Sequence, residues 1–178
     1  MNKNEIENSM TALVGLPLWA VGRAADLAWF QFGSRRAVKG WKGEEKIVGE
    51  WALHVQCPWR ITRAETIVTG RGDIFCTPEE TNEPTPADFN WEKGNRFDRI
   101  AEQLFGDGSH EFSVQCIELG DAGAIEIRLE HDYKLQVFPQ DSESAEHWRL
   151  FRPYVDERHL VFSGRGFQAA GADMPVRP

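Results

Sequence analysis

FSVQCIELGDAGAIEIRLEHDYKLQV, residues 112–137, is the stretch that decides the fold class, because alternation, turn chemistry and register constrain one another within it. Apolar residues recur with a period of two in three sets: Phe112, Val114, Cys116; Ile125, Ile127, Leu129; and Tyr133, Leu135, Val137. That period marks half-buried strands. Gly120-Asp121 is a pair suited to a hairpin tip. With that tip, Cys116 is expected opposite Ile125, Val114 opposite Ile127 and Phe112 opposite Leu129, which puts every apolar set on one face. A second loop of Glu130, His131 and Asp132 sets Leu129 opposite Tyr133 and Ile127 opposite Leu135. The stretch reads as a three-stranded antiparallel meander.

Upstream of it, Asn95 is a plausible cap for a helix over residues 95–105, with Phe97, Ile100, Ala101, Leu104 and Phe105 as its apolar stripe and Gly106 and Gly108 at its stop. Strands are expected at Leu27 to Gly33, at Glu50 to Cys57 up to Pro58, and around the Gly70-Arg71-Gly72 turn of residues 67–77. Further strands are expected at His147 to Phe151 and at His159 to Ser163. Residues 34–45 read as an exposed hairpin loop, 78–94 as a Pro-rich acidic loop, and 167–178 as a loose tail. Residues 1–10 read as frayed, and residues 12–26 as a short helix from Pro17 or an irregular packed segment. The expectation is one α+β domain over residues 1–178, predominantly antiparallel β-sheet with one or two short helices.

The two β-rich parts can be aligned. Leu53-His54-Val55, then Pro58 and Trp59-Arg60-Ile61, resembles Leu135-Gln136-Val137, then Pro139 and, after an inserted loop, Trp148-Arg149-Leu150. Residues 67–72 likewise resemble residues 160–166. This suggests an internal duplication of two β units, about 27–76 and 111–166, joined by the loop 78–94 and the helix 95–105.

Composition bounds the function. With 178 residues and 41% hydrophobic content the chain can bury one core. A net charge of -8 and no basic run longer than Arg35-Arg36 argue against nucleic acid and allow a basic protein partner. Three scattered cysteines, Cys57, Cys76 and Cys116, fit reduced thiols and a cytoplasmic location. The apolar segment 12–28 is interrupted by Gly15, Pro17, Gly22 and Arg23, so neither a signal peptide nor a membrane span is expected.

No residue pattern points to a cofactor or metal. His54 and Cys57 fall on opposite faces of one strand, and no cysteine has a short Cys-x-x-Cys partner. Cys116 reads as core rather than as a nucleophile. There is no Gly-x-Gly-x-x-Gly, Walker-type Lys-Ser/Thr or Gly-x-Ser-x-Gly motif, and Arg71-Gly72-Asp73 is explained by a tight turn. Of seven tryptophans, Trp41 and Trp91 stand in charged loops, as lids or as partner contacts.

The run Ala52-Leu53-His54-Val55-Gln56-Cys57-Pro58-Trp59-Arg60-Ile61, with Ala25-Asp26-Leu27 and Trp29-Phe30-Gln31-Phe32-Gly33 before it, resembles a group of small bacterial proteins with no established activity. The resemblance implies bacterial origin and a mostly β domain, and carries over no catalytic residue. The leading functional reading is a non-catalytic, accessory or immunity-like protein that binds a basic partner through Glu79, Glu80, Glu83, Asp88 and Trp91. The alternative is a small-molecule-binding protein or hydrolase with a pocket between the two β units, built on His54, Arg60 and Arg149.

Overall fold

Alternating apolar residues generate most of the chain's elements. The computed structural model describes residues 3–40, 42–78, 94–106, 108 and 110–170, and the backbone alone at 3–5, 169 and 170. Helix α1 (Lys3–Thr11) leads into β1 (Pro17–Ala24), β2 (Leu27–Phe32), β3 (Arg36–Lys39), β4 (Glu45–Val48), β5 (Trp51–Val55), β6 (Trp59–Arg63) and β7 (Thr66–Gly70). Helix α2 (Arg96–Phe105) is followed by β8 (Phe112–Leu119), β9 (Ile125–Leu129), β10 (Tyr133–Val137), β11 (Glu146–Phe151), β12 (His159–Ser163) and β13 (Gly166–Ala170). Apart from the β3-β4 hairpin, these strands form one eleven-stranded antiparallel sheet, ordered β13-β12-β11-β5-β2-β1-β8-β9-β10-β6-β7. The protein is α+β and predominantly antiparallel, with two short α-helices among the described residues.

The seam of this sheet is narrow. β1 meets β8 through Pro17 opposite Ser113 and Leu18 opposite Phe112, extended by Gly15 N–H to the Val114 carbonyl (2.8 Å) and Val114 N–H to the Leu16 carbonyl (2.9 Å). About this seam the sheet folds over. Phe30 on β2 touches Trp59 on β6 with ring centroids 5.4 Å apart, although several strands separate them. The Trp148 indole N–H on β11 donates at 2.7 Å to the Gly123 carbonyl beside β9. The two inner faces thus share one core, in which Leu53, Val55, Trp59, Ile61, Leu135, Val137, Trp148 and Leu150 are buried.

Counted outward from the seam, one side runs β1, β2, β5, β11, β12 and then β13, and the other β8, β9, β10, β6, β7. β5 and β6 are joined by Gln56–Pro58 yet do not pair; each lies beside a strand from the other end of the chain. The registers match step by step. Val55, His54 and Leu53 face Trp148, Arg149 and Leu150, as Val137, Gln136 and Leu135 face Trp59, Arg60 and Ile61.

Helix α2 begins where Asn95 caps it. The Asn95 side chain accepts from Asp98 N–H at 2.8 Å, and the Asp98 carboxylate accepts from Asn95 N–H at 3.2 Å. Its buried Phe97 lies 5.3 Å from the Trp59 ring. Arg23 on β1 grips both Asp98 oxygens at 2.9 and 2.7 Å, fixing the helix to the sheet.

Several expectations are corrected. The loop 130–132 sets Ile127 opposite Leu135 as expected, but the first hairpin does not close on Gly120-Asp121. A five-residue connection with a 3-10 turn at Asp121–Gly123 puts Leu119 opposite Ile125, and a bulge between Val114 and Cys116 restores phase so that Val114 faces Leu129. The cause is packing at Gly123, with φ +73°, where a Cβ would stand 2.5 Å from the Phe162 ring. Cys116 is consequently half-buried rather than core. Residues 3–11 are helical, with Ile6 and Met10 buried, instead of frayed. Residues 17–24 form β1 rather than a helix, residues 34–45 include most of a paired hairpin, and residues 166–170 form β13 on β12 rather than a loose tail.

Trp59 and Trp148 hold matching steps but differ at one atom, since Trp148 Nε1 has the Gly123 carbonyl and the buried Trp59 Nε1 has no partner among the described residues. Replacing each with Phe removes similar apolar volume, so the difference isolates the hydrogen bond. Trp148→Phe is expected to cost about 1 kcal/mol more than Trp59→Phe in urea unfolding; equal losses would show that the bond contributes nothing.

Candidate functional site

Along β5 and β11 the core takes Leu53, Val55, Trp148 and Leu150, so alternation turns His54, Arg149 and Phe151 to the opposite face. Cross-strand pairing then puts His54 directly beside Arg149. Arg149 is only 6% exposed. Its Nε lies 3.1 Å from both Glu146 oxygens, its Nη2 lies 2.5 Å from Glu146 Oε2, and its Nη1 lies 3.1 Å from His159 Nδ1. A guanidinium can only donate, so Nδ1 of His159 presents its lone pair and the ring proton sits on Nε2. The Phe151 ring fills the space between the two imidazoles, with centroids 4.8 Å from each.

This environment keeps both histidines neutral. Burial, and then the charges of Arg149 and His159, push His54 down to about 4. Burial and Arg149 also lower His159, against a smaller opposing pull from Glu146. The cluster therefore offers a neutral imidazole beside a guanidinium already saturated by Glu146. That is a poor general base at neutral pH, and its cation is spent internally.

Arg60, the third residue of the expected pocket, lies elsewhere. It is exposed on β6, donates to Gln136 at 2.7 Å and stacks 5.1 Å over the Phe138 ring. Gln136 in turn donates to Glu126 at 2.8 Å, and Arg128 joins Glu126 and Glu118 at 2.9 and 2.8 Å. The structure thus unites His54 with Arg149 and leaves Arg60 on a solvated ladder, at the matching step of the other half-sheet. Trp91, Glu79, Glu80, Glu83 and Asp88, the expected partner contacts, lie outside the described residues, as does Trp41.

Two further groups were not legible beforehand. His147, 4% exposed, joins Asp141 through Nε2 at 2.9 Å, which holds the Asp141 carboxyl below the usual range, while the buried His147 Nδ1 has no hydrogen-bond partner among the described residues. Glu146 reaches Arg149 three residues away on one strand, where strict alternation sets them on opposite faces; the bulge between Glu146 and Trp148 makes the contact. Only the motif-free inserted loop hints at the first, and nothing local hints at the second. Cys57 is buried, and that burial pushes its thiol up to about 12. No group of three or more His, Cys, Asp or Glu among the described residues could hold a metal ion.

Comparison with protein-family models, with curated proteins and with solved structures finds no match.

Two outcomes follow from these ionisations. The folded chain keeps His54 neutral to about pH 4, whereas the unfolded chain protonates it near 6.5. Its contribution is complete above pH 6.5 and is lost as pH falls to 4, amounting to about 3 kcal/mol. Denaturation measured across that window should show wild type losing about that much more stability than His54→Gln; parallel curves would show that His54 is not held neutral. In a thiol-reagent titration at pH 8, the half-buried Cys76 and Cys116 should react in the native protein and Cys57 only after denaturation.

Proposed function

We propose that this chain is a non-catalytic binding protein of the bacterial cytoplasm that engages a basic protein partner in an accessory or immunity-like role. The observation that carries this reading is the direction of its perturbed ionisations. Burial moves the Cys57 thiol up to about 12, away from the thiolate a nucleophile needs, and the His54 imidazole down to about 4, which leaves it a weak base with little affinity for a proton near neutral pH. The Arg149 guanidinium beside His54 is neutralised by Glu146. The formal charge of -8 favours a basic protein over nucleic acid. Among the described residues no helix is long and apolar enough to cross a membrane.

The architecture behind this role is, in our reading, a duplicated β unit. The matching order of strands on either side of the β1-β8 seam supports it, as do the equivalent registers of Trp59 and Trp148. Both helices add support, since each precedes the first seam strand of its half.

Affinity capture from the native host, with wild type and with a variant carrying Trp91→Ala, Glu79→Lys, Glu80→Lys and Glu83→Lys, tests the proposal. Wild type should retain a basic protein at low salt and release it near 0.5 M, where screening shortens to about 4 Å; the variant should not retain it. Equal capture by both proteins rejects this surface as the site, and an absence of any captured protein rejects the binding role.

A further inference from the structure

A cavity of about 320 Å³ opens between α2, the start of β8 and the β9-β10 turn, lined by Arg63, Gln103, His110, Phe112, His131 and Tyr133. Its floor is aromatic and fixed, since Phe112 lies 4.6 Å from the Tyr133 ring and 5.5 Å from that of Phe105. None of the described residues lining it is acidic, in a protein whose net charge is -8.

Two features at its rim bear on what it could hold. Arg63 rests its guanidinium 5.3 Å over Tyr133, opposite it in the β10-β6 register, and no described residue ion-pairs or hydrogen-bonds with that guanidinium. The contrast is Arg152, which stands at the matching step of the other half-sheet. It stacks 5.9 Å over Trp51 in the same manner but gives its charge to Glu157 at 3.2 Å. Arg63 therefore keeps the aromatic seat and presents its N–H donors to the cavity unmatched. The second feature is the turn. His131 and Asp132 have φ of +59° and +62°, two successive left-handed residues where Asn-Gly is the usual choice. This conformation sets the His131 imidazole at the cavity mouth, its ring centroid 6.3 Å from that of Phe112.

We propose that this cavity binds a small planar organic anion, an aryl carboxylate or aryl phosphate, with its ring against Phe112 and its charge on Arg63 and His131. Arg63 supplies paired donors to the anion, and its stacking on Tyr133 pre-orients them. A volume near 320 Å³ suits a single-ring ligand, at the small end of ligand pockets. None of the described residues lining it belongs to the acidic segment proposed for the protein partner.

The test is amide-resolved NMR titration of the full chain with benzoate, phenyl phosphate, benzyl alcohol and inorganic phosphate. At least one aryl anion should give saturable shifts at His131 and Tyr133 with a Kd near or below about 1 mM, and the comparison of the two reports which head group is preferred. Benzyl alcohol and inorganic phosphate should each bind at least about tenfold more weakly, a loss of about 1.4 kcal/mol. Arg63→Gln should lose the same factor for the aryl anion and leave the benzyl alcohol response unchanged. His131→Gly should weaken the anion while raising Tm by a few degrees, about what relief of a left-handed residue gives a small domain, so that loss of binding cannot be loss of fold. The assignment is overturned by an absence of saturable shifts with both aryl anions, by equal binding of benzyl alcohol or inorganic phosphate, or by wild-type affinity in both variants.

Discussion

Three residues, Gln56 to Pro58, carry the chain from β5 to β6, and the sheet depends on their not making a hairpin. Pro58 has no N–H to donate and restricts Cys57 before it to extended backbone. The Gln56 and Cys57 N–H groups both donate instead to the His147 carbonyl, at 2.8 and 3.2 Å, and the Pro58 carbonyl accepts from Phe138 N–H at 2.8 Å. The link is therefore satisfied by β11 and by the first residue of the β10-β11 connection, which makes the opposite crossing. Neither crossing can form its hydrogen bonds without the other. β11 pairs with β5 and β6 with β10 because of it, and the inner faces carrying Trp59 and Trp148 close over a common core.

The buried polar cluster is best understood as a constraint on register. A buried ion pair such as Arg149–Glu146 adds little net stability, because desolvation offsets its attraction, yet removing one partner strands a charge and costs about 3–5 kcal/mol. Sliding β11 by one residue along β5 would turn Arg149 into the core and Leu150 outward. The interaction therefore penalises the wrong alignment more than it rewards the right one. The same step of the other half-sheet, Arg60 with Gln136, lies in solvent, where a slip costs less, and there the apolar pairs Val137–Trp59 and Leu135–Ile61 define the register. Depressed ionisation at His54 is a by-product of this desolvation, which is why it does not by itself mark a catalytic centre.

Legibility followed locality. Helix α2 could be read because its cap, its stripe and its stop lie within a dozen residues, and the β9-β10 pairing because a short loop determines it. The first hairpin misled because Ile117 and Leu119, set aside by strict alternation from Phe112, are apolar as well; a bulge lets both phases face inward, and the decision between them is made by Phe162, more than forty positions away. β1 was hidden by Pro17 and Gly22, which read as breakers. Gly22 is in fact the place where the Trp29 ring lies on the neighbouring strand, so closely that a Cβ would stand 2.1 Å from it. Of the candidate pocket, His54 and Arg149 were nameable from an alignment of the two halves. Their true companions, His159 and Glu146, required knowledge of which strands are neighbours.

If the two half-sheets are copies of one unit, as proposed, what they do not share is more telling than what they do. Between β2 and β5 the first half inserts the β3-β4 hairpin, anchored by Arg36 to the Pro153 carbonyl at 2.7 Å, where the second half has only the turn that carries His131 and Asp132. Between β10 and β11 the second half inserts the loop that returns Asp141 onto buried His147, where the first half has Gln56 to Pro58. A framework that folds with the short version of each connection in one half does not need the long version in the other. The framework also seats an arginine on an aromatic ring in both halves but, among the described residues, supplies an acid to only one of them, Arg152. Stability selects the shared features, and the departures from them are where selection for something other than folding has room to act.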